Sequence, residues 1–91
     1  MNLVQLRYFI QVADLKNVTR AAQALRISQP ALTRQMSLLE AEFGTVLFLR
    51  HPRGIQLTEA GVSLRDRADV ILRLVSETHA EISREIGRAH V

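Results

Sequence analysis

The sequence predicts a mainly α fold: three short helices, a two-stranded hairpin and a long closing helix. Three observations carry this. Apolar residues recur at helical spacing in three successive windows before Gly44. Two short β-prone runs then flank a Pro/Gly turn at His51-Pro52-Arg53-Gly54. Beyond Thr58 the apolar residues alternate spacings of four and three, with charges on either side, as in a heptad seam.

The first helix is expected over Leu3 to Leu15, where Leu3, Leu6, Phe9, Ile10 and Ala13 define one apolar face. Lys16-Asn17 breaks that pattern, and Asn17 suits the N-cap of a second helix, since its side chain can accept from an orphan backbone N–H. In that helix Val18, Ala21, Ala22 and Leu25 point inward. Arg26-Ile27-Ser28 is a tight connection, with Ser28 capping the next helix and Pro30 in its first turn, where a missing N–H costs nothing. The third helix is expected over about 28–42. Its apolar face is Leu32, Met36, Leu39 and Phe43, and Gly44 ends it. Val46-Leu47-Phe48-Leu49 and Ile55-Gln56-Leu57 read as the two strands. Thr58 caps the last helix, and Glu59 sits favourably against its dipole.

The chain of 91 residues has room for one small domain and one extra element, and its 47 % hydrophobic and 23 % charged composition is globular. So short a chain buries little core, which favours association with a partner chain. Cysteine is absent, which excludes disulfides, thiol catalysis and thiolate zinc sites and fits the cytoplasm. No apolar run reaches the roughly 20 residues of a membrane span, and Met1 to Gln11 lacks the basic and apolar regions of a signal peptide. The expectation is a cytoplasmic protein without membrane contact. The net charge of +3 lies entirely in Met1 to Gly61, where seven basic residues face four acidic ones. Val62 to Val91 holds five of each. A polyanionic partner fits this distribution, and so does a solvated basic surface.

Two short helices joined by a three-residue turn form a helix-turn-helix unit, and with the hairpin behind it the fold is a winged helix-turn-helix. Small Ala21 and Ala22 let the second helix approach the third, and Ile27 fills the space in the turn. With Leu32, Met36 and Leu39 facing the core, the opposite face of the third helix presents Gln29, Pro30, Thr33, Arg34 and Ser37. That chemistry suits base reading: Gln can pair with adenine, Arg with guanine or phosphate, and the Thr methyl can touch thymine. The hairpin tip carries His51 and Arg53, and a rigid tip bearing a guanidinium suits a narrow, electronegative minor groove. An ordinary solvated helix and an ordinary turn would carry these same residues singly; the order of the elements gives them weight. A winged helix used only for protein contact is the first alternative function, and four polar residues pointing one way argue against it. An enzyme is the second. His51, His79 and His90 fall on a turn, a helix and the tail, and no catalytic set, Gly-rich phosphate loop or metal-ligand cluster appears. No catalytic residue, metal or cofactor is expected.

Several linked motifs together resemble the N-terminal domain of LysR-type transcriptional regulators: Asn17-Val18-Thr19-Arg20-Ala21-Ala22-Gln23-Ala24-Leu25; Ser28-Gln29-Pro30-Ala31-Leu32-Thr33-Arg34-Gln35-Met36; Leu39-Glu40; Gly44; Leu47-Phe48; Arg50; and Leu57-Thr58-Glu59-Ala60-Gly61. The resemblance spans about Leu3 to Ile82. It implies a winged helix-turn-helix, a linker helix that pairs two subunits, and a C-terminal domain outside this chain that senses a small-molecule inducer. By the same resemblance Gln29, Pro30, Thr33 and Arg34 contact bases and phosphates in double-stranded DNA, and Arg53 probes the minor groove. Arg50 matches an arginine after the Leu-Phe strand that is as readily structural as DNA-contacting. Asn17-Val18 stands where Ser-Phe is commoner, and Leu49 where a charged residue is common.

The organisation expected is therefore a winged helix-turn-helix domain at 1–58, a linker helix for dimerisation at 59–85 and a tail at 86–91. The seam Leu64, Ala68, Ile71, Val75 and Ile82 is expected to pair with a second copy, as a homodimer or homotetramer on an interrupted palindrome; folding back onto its own head is the alternative. Ile86-Gly87-Arg88-Ala89-His90-Val91 breaks the linker pattern with a glycine and matches one reading frame of a widely used short-read sequencing adapter, so the tail is read as non-native, the alternative being a natural short protein with a frayed tail.

Overall fold

The computed structural model describes residues 1–89. The order is α1 (Leu3–Leu15), α2 (Val18–Leu25), α3 (Gln29–Phe43), β1 (Phe48–His51), β2 (Gly54–Leu57) and α4 (Glu59–Ala89). Four helices and one antiparallel hairpin make the mainly α winged helix-turn-helix expected from the sequence.

Each helix of the head is closed by local hydrogen bonding at both ends. Asn2 forms a reciprocal capping box with Gln5 at the start of α1. Asn17 accepts from the Arg20 N–H at 2.9 Å, and Ser28 accepts from the Ala31 N–H at 3.2 Å. Three helices end in left-handed residues: Lys16, Arg26 and Gly44. After α2, Ile27 N–H returns to the Ala22 carbonyl and Arg26 N–H to Gln23; after α3, Thr45 returns to Glu40 and Gly44 to Ala41. This paired return is the Schellman geometry. A non-glycine residue in this region costs on the order of 1 kcal/mol, so tight turns hold Lys16 and Arg26 there.

The core lies where α1, α2, α3 and the hairpin meet. Phe9, Leu6, Leu32, Leu39, Leu47 and Val12 are its largest fully buried side chains. Phe9 and Phe48 stack at 5.3 Å with a tilt of 38°. Ala21 and Ala22 are buried between helices, as their size suggests.

Three expectations need correction. The first strand begins at Phe48, two residues later than the β-prone run. The Glu40 carboxylate accepts the Leu47 N–H at 2.7 Å and the Phe48 N–H at 3.4 Å, which ties Val46-Leu47 to α3 as a connection, while the Leu47 side chain fills the core. Phe43, expected on the core face of α3, is 46 % exposed. Leu64 and Ala68, placed on a seam for a second copy, are covered by their own head: Ala68 is fully buried and Leu64 packs on the core cluster, because α4 runs against α1.

The seat of α4 is tightly built. Thr58 donates its hydroxyl to the Val46 carbonyl at 2.7 Å, accepts from the Gly61 N–H at 3.0 Å, and donates its own N–H to the Leu47 carbonyl at 3.0 Å. A Cβ on Gly61 would collide with that Leu47 carbonyl oxygen, so only glycine lets the first turn of α4 approach so closely. Arg65 grips Asp14 through two bonds of 2.8 and 2.9 Å and reaches Asp69 at 3.0 Å. The hydrogen bonds that Arg65 donates to the Asp14 carboxylate, opposed by partial desolvation, hold Arg65 above its ordinary pKa. Beyond this clamp α4 leaves the head. Every residue from Ser76 to Gly87 is exposed, and the chain reaches 58 Å along its long axis. The helix continues to Ala89, past the boundary expected at 85; His90 and Val91 of the tail lie outside the described residues.

Candidate nucleic-acid interface

The Arg26-Ile27-Ser28 turn fixes the entry of α3, so the residues of its first turns share one outward face. Gln29, Pro30, Arg34 and Ser37 are exposed and Thr33 is half-buried. Gln29, Pro30, Thr33 and Arg34 together line one shallow, open concavity. A side-chain bond crosses the turn here: the Thr19 hydroxyl of α2 donates to the Gln29 Oε1 at 2.9 Å.

The hairpin brings its basic residues beside that helix. The register pairs Phe48 with Leu57, Leu49 with Gln56, Arg50 with Ile55 and His51 with Gly54, so Pro52-Arg53 is the tip. Strand alternation puts Phe48 and Arg50 on the same side of the ribbon. Arg50, Thr33 and Ser37 accordingly line one small crevice between α3 and β1. Arg50 and His51 also border a concavity with Asn17 at the start of α2. Arg53 is exposed, and its N–H donates to His51 Nδ1 at 3.3 Å across the tip. The ribbon is fastened to the helix-turn-helix at its base: the Ile55 N–H donates to the Lys16 carbonyl at 3.1 Å, and a Cβ on Gly54 would come within 2.7 Å of the same oxygen. The left-handed turn at Lys16 therefore aims a carbonyl at the wing, a role that sequence periodicity did not disclose.

Three of the four acids in residues 1–61 are engaged internally. Asp14 binds Arg65, Glu40 receives the Leu47 N–H, and Glu42 meets the N-terminal ammonium. Among the described residues, Lys16, Arg20, Arg26, Arg34, Arg50 and Arg53 are exposed and enter no ion pair. The positive charge counted in the sequence is thus left facing solvent, with Arg34 on α3 and Arg50 and Arg53 on the hairpin.

On α4, Ile71 and Val75 are half-buried and Ile82 is 49 % exposed. Val70, Leu74 and Ile86 are also exposed, so the free part of the helix carries an apolar strip without cover from its own chain.

Residues 3–62 match the model of the bacterial regulatory helix-turn-helix protein, lysR family. The chain belongs to the lysR family. It is 50 % identical to the HTH-type transcriptional regulator BudR of Klebsiella aerogenes, over 97 % of this chain and 61 % of that protein. It is 45 % identical to the HTH-type transcriptional regulator TcbR of Pseudomonas sp. (strain P51), over 100 % of this chain and 31 % of that one. The chain therefore spans less than two thirds of these lysR-family relatives. A crystal structure of a CbnR_DBD–DNA complex contains a chain that superposes with a TM-score of 0.87 at 45 % identity, covering 96 % of this chain and 99 % of that chain. Helix-turn-helix, wing and projecting helix are thus shared with that chain.

Proposed function

We propose that this chain is the DNA-reading end of a transcriptional regulator, binding double-stranded DNA as a homodimer or higher homo-oligomer. The observation that carries the proposal is the outward face of α3 and the hairpin, where unpaired cations and polar side chains converge while three of the four acids in residues 1–61 are turned to internal partners. The likeness to a chain crystallised with DNA supports it. Helix α3 (Gln29–Phe43) enters the major groove, with Gln29, Pro30, Thr33, Arg34 and Ser37 meeting base edges and phosphates. The wing, 51–54, enters the minor groove with Arg53, while His51 and Arg50 flank the backbone. The arrangement serves binding, not catalysis. No group of residues suited to hold a metal occurs among the described residues, and no described helix is long and apolar enough to cross a membrane.

Pairing uses the apolar strip of α4 at the half-buried Ile71 and Val75 and the exposed Ile82, beyond Leu64 and Ala68, which the head of the same chain covers. A two-fold pair sets two recognition helices on an interrupted palindrome, with half-sites spaced by whole helical turns of about 34 Å. A small-molecule inducer acts through a domain outside this chain. The test is a gel shift with random duplex DNA across a salt series. Binding that weakens steeply with salt is expected; no salt-sensitive binding would favour a winged helix used for protein contact.

A further inference from the structure

We propose that Thr19 is a positioning residue that turns the Gln29 amide so that its N–H donors face the DNA, making guanine the base favoured at the position Gln29 reads. The inference rests on the DNA-binding reading above and adds a specificity that the residue types alone do not give. A glutamine side chain can pair with adenine in two bonds, its oxygen accepting from N6–H and its nitrogen donating to N7. That pairing needs both ends of the amide free to face the base.

In this structure they are not equally free. The Thr19 hydroxyl donates to Gln29 Oε1 at 2.9 Å from the neighbouring helix, and both residues are otherwise exposed. The two are ten positions apart in the chain, held together by the Schellman turn through Arg26 and Ile27 and by the Ser28 cap. With Oε1 drawn toward α2, the Nε2 group is the end left to meet a base edge. A donor alone is best matched by an edge that offers acceptors alone. Guanine presents N7 and O6 in the major groove; adenine presents N7 beside an N6–H donor that would face the second amide hydrogen; thymine presents one acceptor beside its methyl. Thr19 itself reaches the DNA only through Gln29.

The experiment uses the whole chain and duplexes that it selects from a randomised pool. The position read by Gln29 is the one whose base preference Gln29→Ala abolishes. At that position the parent is expected to favour guanine over adenine by roughly three- to tenfold, the worth of one ordinary hydrogen bond. Thr19→Val, which keeps the shape and removes the hydroxyl, should reduce that preference to near parity or shift it to adenine. Thr19→Ser, which keeps the hydroxyl, should retain it. Preferences at other positions and the thermal midpoint should be unchanged in both, which a merely structural role for Thr19 would not allow. A parent that favours adenine, or a Thr19→Val variant that reads bases as the parent does, would overturn the positioning role while leaving DNA binding intact. A parent that selects no duplex at all would overturn both readings together.

Discussion

Alanine at position 61 should destabilise this protein, although glycine-to-alanine changes within helices ordinarily stabilise by about 1 kcal/mol. The reversal follows from the seat of α4. A Cβ at Gly61 would lie 3.0 Å from Leu57 Cδ2 and 3.2 Å from the Leu47 carbonyl carbon, and closer still to the Leu47 oxygen. The leucine tip can move; the Leu47 carbonyl cannot move freely, because it accepts the Thr58 N–H and its side chain is in the core. Overpacking of this kind costs about 1–3 kcal/mol. Pushing Leu47 away also weakens the bond to Thr58, for about 1 kcal/mol more. Net of the helix preference, a loss of about 1–3 kcal/mol remains, a fall in Tm of roughly 5 °C or more for a chain of this size. Gly87, in the same helix with nothing within 4 Å, is the internal control: Gly87→Ala should leave Tm unchanged or raise it, with more helix by circular dichroism. The measurement is thermal and denaturant unfolding of both variants. Equal or greater stability for Gly61→Ala would show that α4 does not press on Leu47 as described.

Arg34→Ala should weaken DNA binding by about 1–3 kcal/mol with an unchanged Tm, since the side chain is exposed and its removal opens no cavity; equal affinity at moderate salt would remove it from the interface. Arg53→Ala should lower affinity and reduce the salt slope by about one, leaving major-groove preference intact; a change in base preference larger than the change in slope would reverse the roles assigned to helix and wing. Ile71→Asp combined with Val75→Asp should give folded monomers that bind half-sites weakly, read by sedimentation at micromolar concentration; a parent that already sediments as a monomer would show that α4 alone does not pair the subunits.

The three helices of the head were legible because their signals are local. Asn17 and Ser28 cap where the periodicity begins, and Gly44 takes the left-handed position that a helix end requires. The left-handed turns at Lys16 and Arg26 gave no such signal, since neither residue favours that backbone and only the packed turn imposes it. The start of β1 was misplaced for a similar reason. Val46-Leu47 has β-prone side chains, but the Glu40 carboxylate, seven residues back from Leu47, takes its N–H before any strand can. The outward residues of α3 followed from helical spacing, whereas the Thr19–Gln29 bond depends on how two helices meet. The seam of α4 was ambiguous in principle: heptad spacing marks an apolar face without saying what covers it, and Leu64 and Ala68 are covered in cis while Ile82 is not.

The fate of the acidic residues bears most directly on function. A count of charges gives residues 1–61 a net +3, a modest field. Geometry sharpens it. Asp14 reaches Arg65 across 51 positions of sequence, so one acid of the head is neutralised by a base from α4. The same bidentate contact, with Gly61 and Thr58, fixes the direction in which α4 leaves the head. In the proposed pairing of α4 with its copy, that direction would set the separation of the two recognition helices. On the proposed reading, Asp14 thus links the two requirements of a dimeric DNA reader, an uncompensated basic face and a defined spacing of half-sites. An exposed ion pair contributes under about 1 kcal/mol to stability, so its consequence lies in geometry and field far more than in holding the fold together.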